Sequence, residues 1–316
     1  MLTGPPRTRF LRPSKTPRLI NDPRDIHFDQ NPALMSTLQT GLTRGRKAVV
    51  RLLAVVGFLS FSFMFVFVVA DALGAISSEP VGSPDDPPPS AEARAGARAP
   101  GEGVHVVGAL GVVALVGSGL VGLIARPARA GSAYQVLAGV LGVLVVLPVV
   151  GDPDNVGGQA GVIDPAFLVL AVPPLLAATT ARPWRSARPR RPMQPVFLAL
   201  AGLALVPGAW YGVNQALMQR NTFPPTADPH HQAHWFAMAV FAFVVILTVA
   251  TGTLAARGWR LATGTAGLSV VVFGTASLAD SAAASALAPL WAGAAVVWGV
   301  AVLWLTAQAT TVQAYQ

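Results

Sequence analysis

The chain contains no cysteine and only two lysines, Lys15 and Lys47, and charged residues make up just 11% of its 316 positions. Without cysteine there are no thiolate metal sites, iron–sulfur clusters, cysteine nucleophiles or disulfides. The low charge content sets the chain apart from soluble domains, in which about a quarter of residues are charged. Also missing are GxxxxGK[ST], GxGxxG after a strand, HExxH and GxSxG. Their absence removes the common nucleotide-binding, zincin and serine-hydrolase signatures. The 31 glycines and 27 prolines follow no collagen-like or low-complexity period, so fibrous architectures are excluded as well.

What is present is apolar and bunched. Hydrophobic residues reach 53%, the mean hydropathy is +0.55, and the apolar positions form long runs instead of core-like periodicity. Eight runs come close to the roughly 20 residues that cross a hydrocarbon core as a helix. They lie at 52–72, 104–125, 133–150, 162–181, 196–216, 234–256, 261–279 and 287–308. The expected fold is therefore all-α, a polytopic integral membrane bundle of eight transmembrane helices.

A net charge of +8 suggests nucleic acid at first sight, but the placement of the charge argues otherwise. Ten basic residues precede the first run, and Arg126, Arg129, Arg182, Arg185, Arg188, Arg190, Arg191, Arg257 and Arg260 fill alternate loops. The other loops hold only Arg94, Arg98 and Arg220, and with the adjoining span ends they carry 11 of the 14 acids. Such alternation follows the positive-inside rule for an even number of spans with both termini cytoplasmic. The expected partner is the lipid bilayer, and nucleic acid is not expected. The Ala/Gly/Val/Arg-rich usage fits a bacterial cell membrane.

This divides the chain into a basic, largely disordered tail at 1–50, a transmembrane domain at 51–309 and a short cytoplasmic tail at 310–316. Within the first tail, Asn31–Pro32 reads as a helix start, and Leu34, Leu38 and Leu42 recur at four-residue spacing. An interfacial helix over 32–43 would use that stripe. The segment 77–103 contains Pro-Asp-Asp-Pro-Pro-Pro and reads as an extended extracytoplasmic linker. Ala70–Asp71–Ala72 resembles a signal-peptide cleavage site, but the apolar core before it exceeds the usual 7–15 residues, so an uncleaved first helix is expected.

Two further features concern the interior. Pro173–Pro174 near the middle of the fourth run removes backbone donors and predicts a kink or an unwound turn, which in transporters can mark a solute path. Glycines are dense in the second and third runs, at Gly108, Gly111, Gly117, Gly119, Gly122, Gly139 and Gly142. They predict close helix packing within the chain.

Polar chemistry concentrates in Asp228–Pro229–His230–His231–Gln232–Ala233–His234–Trp235. Asp228 and Pro229 predict an N-cap followed by proline at the first helical position. His230 and His234 are then four apart and His231 and His234 three apart, on one helical face, where neutral imidazoles can hold zinc or another transition metal. Two ligands from one helix need a third from elsewhere. Candidates on the same side are Asp71, Asp164 and Asp280, as ligand or general base. His105, Asp152, Asp154, Asn214 and Gln215 fall on that side too. Together they predict an outward-opening polar cavity rimmed by Trp210, Tyr211 and Trp235, with haem between His105 and His234 as a lesser possibility.

An interfacial structural role accounts for the same residues without any ligand. Three functions therefore remain open. The first is a membrane protein with an outward His/Asp metal site, acting as a membrane-embedded hydrolase. The second is a small-solute transporter using the break at Pro173–Pro174, and the third is a non-catalytic scaffold or accessory subunit.

Overall fold

A computed structural model of the chain describes residues 43–72, 102–150, 165–183, 195–222, 229–254 and 256–314. Among them there are eight α-helices and no strand. In chain order they are α1 (Arg44–Ala72), α2 (Glu102–Ala125), α3 (Ala130–Val150), α4 (Pro165–Thr180), α5 (Pro195–Thr222), α6 (Pro229–Gly252), α7 (Trp259–Ala279) and α8 (Pro289–Ala314). Each of the eight apolar runs overlaps one of them. Four begin on proline, whose fixed φ and missing N–H suit the first helical turn. At α1 the Thr43 hydroxyl accepts the Arg46 N–H at 3.3 Å, which satisfies a donor left free by the helix start.

Among the described residues, six helices are long and apolar enough to cross a membrane: α2, α3, α5, α6, α7 and α8. The fold is thus that of a multi-pass membrane-embedded bundle. α4 has 16 residues and so rises about 24 Å. The interfacial helix at 32–43 and the linker at 77–103 lie outside the described residues.

Polar ties at the helix ends fix the directions. Arg46 Nε donates to the Thr180 carbonyl at 2.8 Å, and Arg51 Nε donates to the Ile124 carbonyl at 3.2 Å. These two arginines of α1 thereby cap the last turns of α4 and α2, where orphan carbonyls concentrate negative potential. The Gly131 N–H donates to the Arg257 carbonyl at 3.0 Å and joins the α2–α3 turn to the α6–α7 turn. One end of the bundle therefore gathers Arg46, Arg51, Arg126, Arg129, Arg182, Arg257 and Arg260. At the opposite end the Tyr211 hydroxyl of α5 donates to the Ser285 carbonyl in the α7–α8 connection at 2.6 Å. Each described helix runs opposite to the next.

α6 is the central post, packing on α2, α3, α5 and α7. Its buried Phe236, Met238, Phe241 and Val244 anchor one core cluster. A second cluster, with Val50, Ala54, Leu120, Leu123, Val136 and Ala177, joins α1 to α2, α3 and α4. Dispersion between closely approaching helices dominates here, because lipid tails are as apolar as the side chains. The glycines of α2 and α3 perform that role. A side chain at Gly108 would collide with Met238, one at Gly111 with Phe241 and one at Gly139 with Val116. Close packing within the chain accounts for all three.

Pro173–Pro174 corrects an expectation. α4 continues as a helix through both residues, with no unwound turn. The Pro174 ring sits against Gly57 of α1, where a Cβ would lie 3.0 Å from Pro174 Cγ. The pair is accommodated by a glycine on the neighbouring helix, and the broken-helix observation behind the transport reading falls away.

Candidate functional site

The most connected polar group lies at the end remote from the arginine-rich turns. His105, in the first turn of α2, is half-buried, and its ring meets Trp235 of α6 edge-on at 4.9 Å between centroids. Its Nε2 is 3.4 Å from the Ser285 hydroxyl, a long contact by hydrogen-bond standards. Ser285 is fully buried, and its carbonyl accepts the short bond from Tyr211. Helices α2, α5 and α6 and the α7–α8 connection thus converge on one point.

Two glutamines extend this group along α5. Tyr211, Gln215 and Gln219 are spaced by four, so they line one face of the helix. Gln219 Oε1 accepts the Phe236 N–H at 3.1 Å, satisfying a donor in the second turn of α6. Gln215 is only 2% exposed, and its Oε1 has no hydrogen-bond partner among the described residues. A buried unsatisfied amide oxygen costs about 1–3 kcal/mol, so this position bears a cost that apolar packing would avoid.

The predicted site residues fare differently. His230, His231 and His234 all fall within the first two turns of α6, which starts at Pro229 as the proline predicts. Asp228, Asp152, Asp154 and Asp164 lie outside the described residues. Asp71 is in the last turn of α1. Asp280 ends α7, donating its N–H to the Ala276 carbonyl at 3.0 Å, and its own carbonyl accepts the Ala283 N–H. That backbone role starts the α7–α8 turn. Among the described residues, no group of three or more His, Asp or Glu side chains is placed to hold a metal, and no buried side chain is charged.

The expected rim is corrected in part. Tyr211 and Trp235 turn inward, whereas Trp210 is 77% exposed on the lipid-facing side of α5. Sequence reasoning missed Ser285 and the role of Gln219. The four-residue spacing from Tyr211 through Gln215 to Gln219 was the available signal for the glutamines. Ser285 sits in a run of alanines and serines that carries none.

A second polar group lies within α2, α3 and α7. Gln135 Nε2 donates to Ser118 Oγ at 2.8 Å, Ser118 donates to the Leu115 carbonyl at 3.2 Å, and Thr265 Oγ1 lies 3.4 Å from Ser118. Gln135 is fully buried, and its Oε1 has no partner among the described residues. Replacing it with leucine removes that orphan oxygen and leaves Ser118 bonded to its own helix. Gln135→Leu is therefore expected to hold or raise stability by about 1 kcal/mol. Thermal unfolding in detergent checks this, and a clear fall in the midpoint would contradict it.

The class defined by this fold is a multi-pass membrane-embedded helical bundle. No protein-family model matches the chain, and no curated protein or solved structure shows significant similarity to it.

Proposed function

We propose that the protein spans the membrane eight times with both termini cytoplasmic and binds a transition metal at its outer end through the histidines that open α6. The observation that supports this reading is the start of α6 at Pro229, which puts positions 230, 231 and 234 in its first two turns. Imidazoles three and four apart on one helical face are a recurrent metal-binding pair. The gathering of arginines at the other end supports the outward direction of this one, because basic residues are retained on the cytoplasmic side. Asp71, Asp164 and Asp280 remain candidates for a carboxylate ligand or base. A metal with an open coordination position activates water, so hydrolysis of a lipid or envelope substrate is the chemistry we assign.

Elemental analysis of untagged, detergent-purified protein tests the reading. About one zinc, copper or iron per chain is expected, falling to near zero in His231→Ala plus His234→Ala. A wild type that stays metal-free after supplementation overturns it. An optical spectrum of the same sample separates a bare metal from haem.

One observation favours the accessory-subunit reading instead. α5 and α8 are the least buried of the six apolar helices. Between them runs an open apolar groove of about 590 Å³ lined by Leu200, Leu203, Leu290, Val297 and Trp298. A stoichiometric partner in metal-free protein would support that reading.

A further inference from the structure

We infer that the recess along α2 between α1 and α7 holds one anionic phospholipid, its phosphate at Arg51 and Arg126 and an acyl chain along the small residues of α2. The inference goes beyond the metal reading and does not rest on it. It starts from the distribution of charge. Arg44, Lys47 and Arg51 recur at three- and four-residue steps, so they form one stripe at the start of α1, and all three are exposed. Arg126 follows the last residue of α2, and Arg257 sits in the turn before α7. The described acids, Asp71, Glu102 and Asp280, all lie at the other end of the bundle. Among the described residues the arginine-rich end therefore holds no carboxylate, and an anion is the complement it fits.

The helix packing places an apolar recess directly below these cations. α1 and α7 each pack against α2 but are not among the helix pairs that pack on one another. α2 therefore lies between them with one face toward lipid. Ala114, Gly117, Val121 and Ala125 recur on that face at three- and four-residue steps. Ala114 and Ala125 are exposed, Val121 is 47% exposed, and a Cβ at Gly117 would meet nothing within 4 Å. To one side of this stripe, Leu120 is buried in the cluster shared with α1. To the other, Ser118 Oγ lies 3.4 Å from Thr265 Oγ1 of α7. Alanines and a glycine on the floor leave depth that longer side chains would fill. The recess is apolar along its length and cationic at its mouth, which is the pattern of a lipid with an anionic head.

Arg51 is fixed at that mouth. Its Nε donates to the Ile124 carbonyl at 3.2 Å, two residues before Arg126. The guanidinium carries further N–H donors at Nη, and arginine makes charge-assisted, often bidentate bonds to phosphate oxygens. A zwitterionic head brings its own cation, which Lys47 and the arginines repel. A head with net negative charge, such as that of phosphatidylglycerol, meets no such opposition.

Native mass spectrometry of the detergent-purified protein, titrated with phosphatidylglycerol or phosphatidylcholine, tests the assignment. One phosphatidylglycerol per chain is expected, with phosphatidylcholine held at least about 10-fold more weakly. Arg51→Gln plus Arg126→Gln should lower phosphatidylglycerol affinity by about 30-fold. Arg46→Gln plus Arg182→Gln removes as much charge on the α4 side of α1 and should leave affinity within about 3-fold, because exposed charges at a distance are screened. Gly117→Leu keeps every charge but fills the floor, and should weaken binding by at least about 10-fold through displacement of the acyl chain. Unfolding midpoints without added lipid show whether each variant is folded. Equal losses in the two arginine pairs would reduce the effect to net charge and overturn the inference. So would unchanged binding in folded Gly117→Leu, or a wild type that holds the two lipids equally.

Discussion

Gly299→Ala is expected to destabilise the bundle by about 3 kcal/mol, whereas Gly293→Ala, fewer than two turns away on the same helix, is expected to stabilise it by up to about 1 kcal/mol. α7 and α8 run antiparallel and touch through their backbones. A Cβ at Gly299 would lie 2.7 Å from the Gly267 carbonyl oxygen and 3.1 Å from the Val271 nitrogen. One at Gly274 would lie 2.9 Å from the Ala292 oxygen, so the close approach continues toward the outer end. Backbone atoms cannot rotate aside as a side chain can, and the helices must separate along the interface. Separation forfeits dispersion contacts, which hold α8 in a lipid environment. The remaining tie to α5, the Trp298 Nε1–H bond to the Leu200 carbonyl at 3.0 Å, is too weak to compensate. Around Gly293 nothing lies within 4 Å, so an added methyl meets no obstacle and lowers only the flexibility of the chain. Unfolding midpoints of the two variants in the same detergent should move in opposite directions. A shift of equal sign would mean that the α7–α8 contact is looser than this geometry requires.

The helices themselves were legible because their causes are local. Apolar length, prolines at first turns and arginines in alternate loops act within a few residues of one another, and α6 indeed begins at Pro229. The glycines of α2 and α3 were legible as close-packing positions for the same reason, although not their partners. What escaped depends on residues distant in the chain. Pro173–Pro174 reads as a break until Gly57 is known to face it across α1. Ser285 gains its place through Tyr211 and His105, neither of which is near it in sequence. The histidine cluster stood out by composition, but which residues of other helices lie near it is not a local property of the sequence. Trp210 and Tyr211, adjacent in sequence, face opposite ways because only one side of α5 meets the core.

The number of spans can be decided by labelling, because the absence of cysteine gives a clean background. Ala128→Cys places a thiol in the exposed α2–α3 turn and Ser281→Cys places one in the exposed α7–α8 turn. In intact cells a membrane-impermeant maleimide should label Ser281→Cys essentially completely and Ala128→Cys only after permeabilisation. Five helices separate the two positions. If all five cross, the thiols lie on opposite sides; if α4 does not cross, four crossings leave them on the same side. The cap from Arg46 to the Thr180 carbonyl favours crossing, because it ties the end of α4 to the arginine-rich end while α3 finishes at the other. The sidedness follows from charge. Inverting the bundle would move Arg46, Arg51, Arg126, Arg129, Arg257 and Arg260 off the cytoplasmic leaflet, where each is worth about 1 kcal/mol near anionic lipid. Labelling of both thiols from one side would leave α4 as a helix that enters the bundle without traversing it. Labelling of Ala128→Cys alone would turn the histidine end of α6 toward the cytoplasm and with it the substrate expected there.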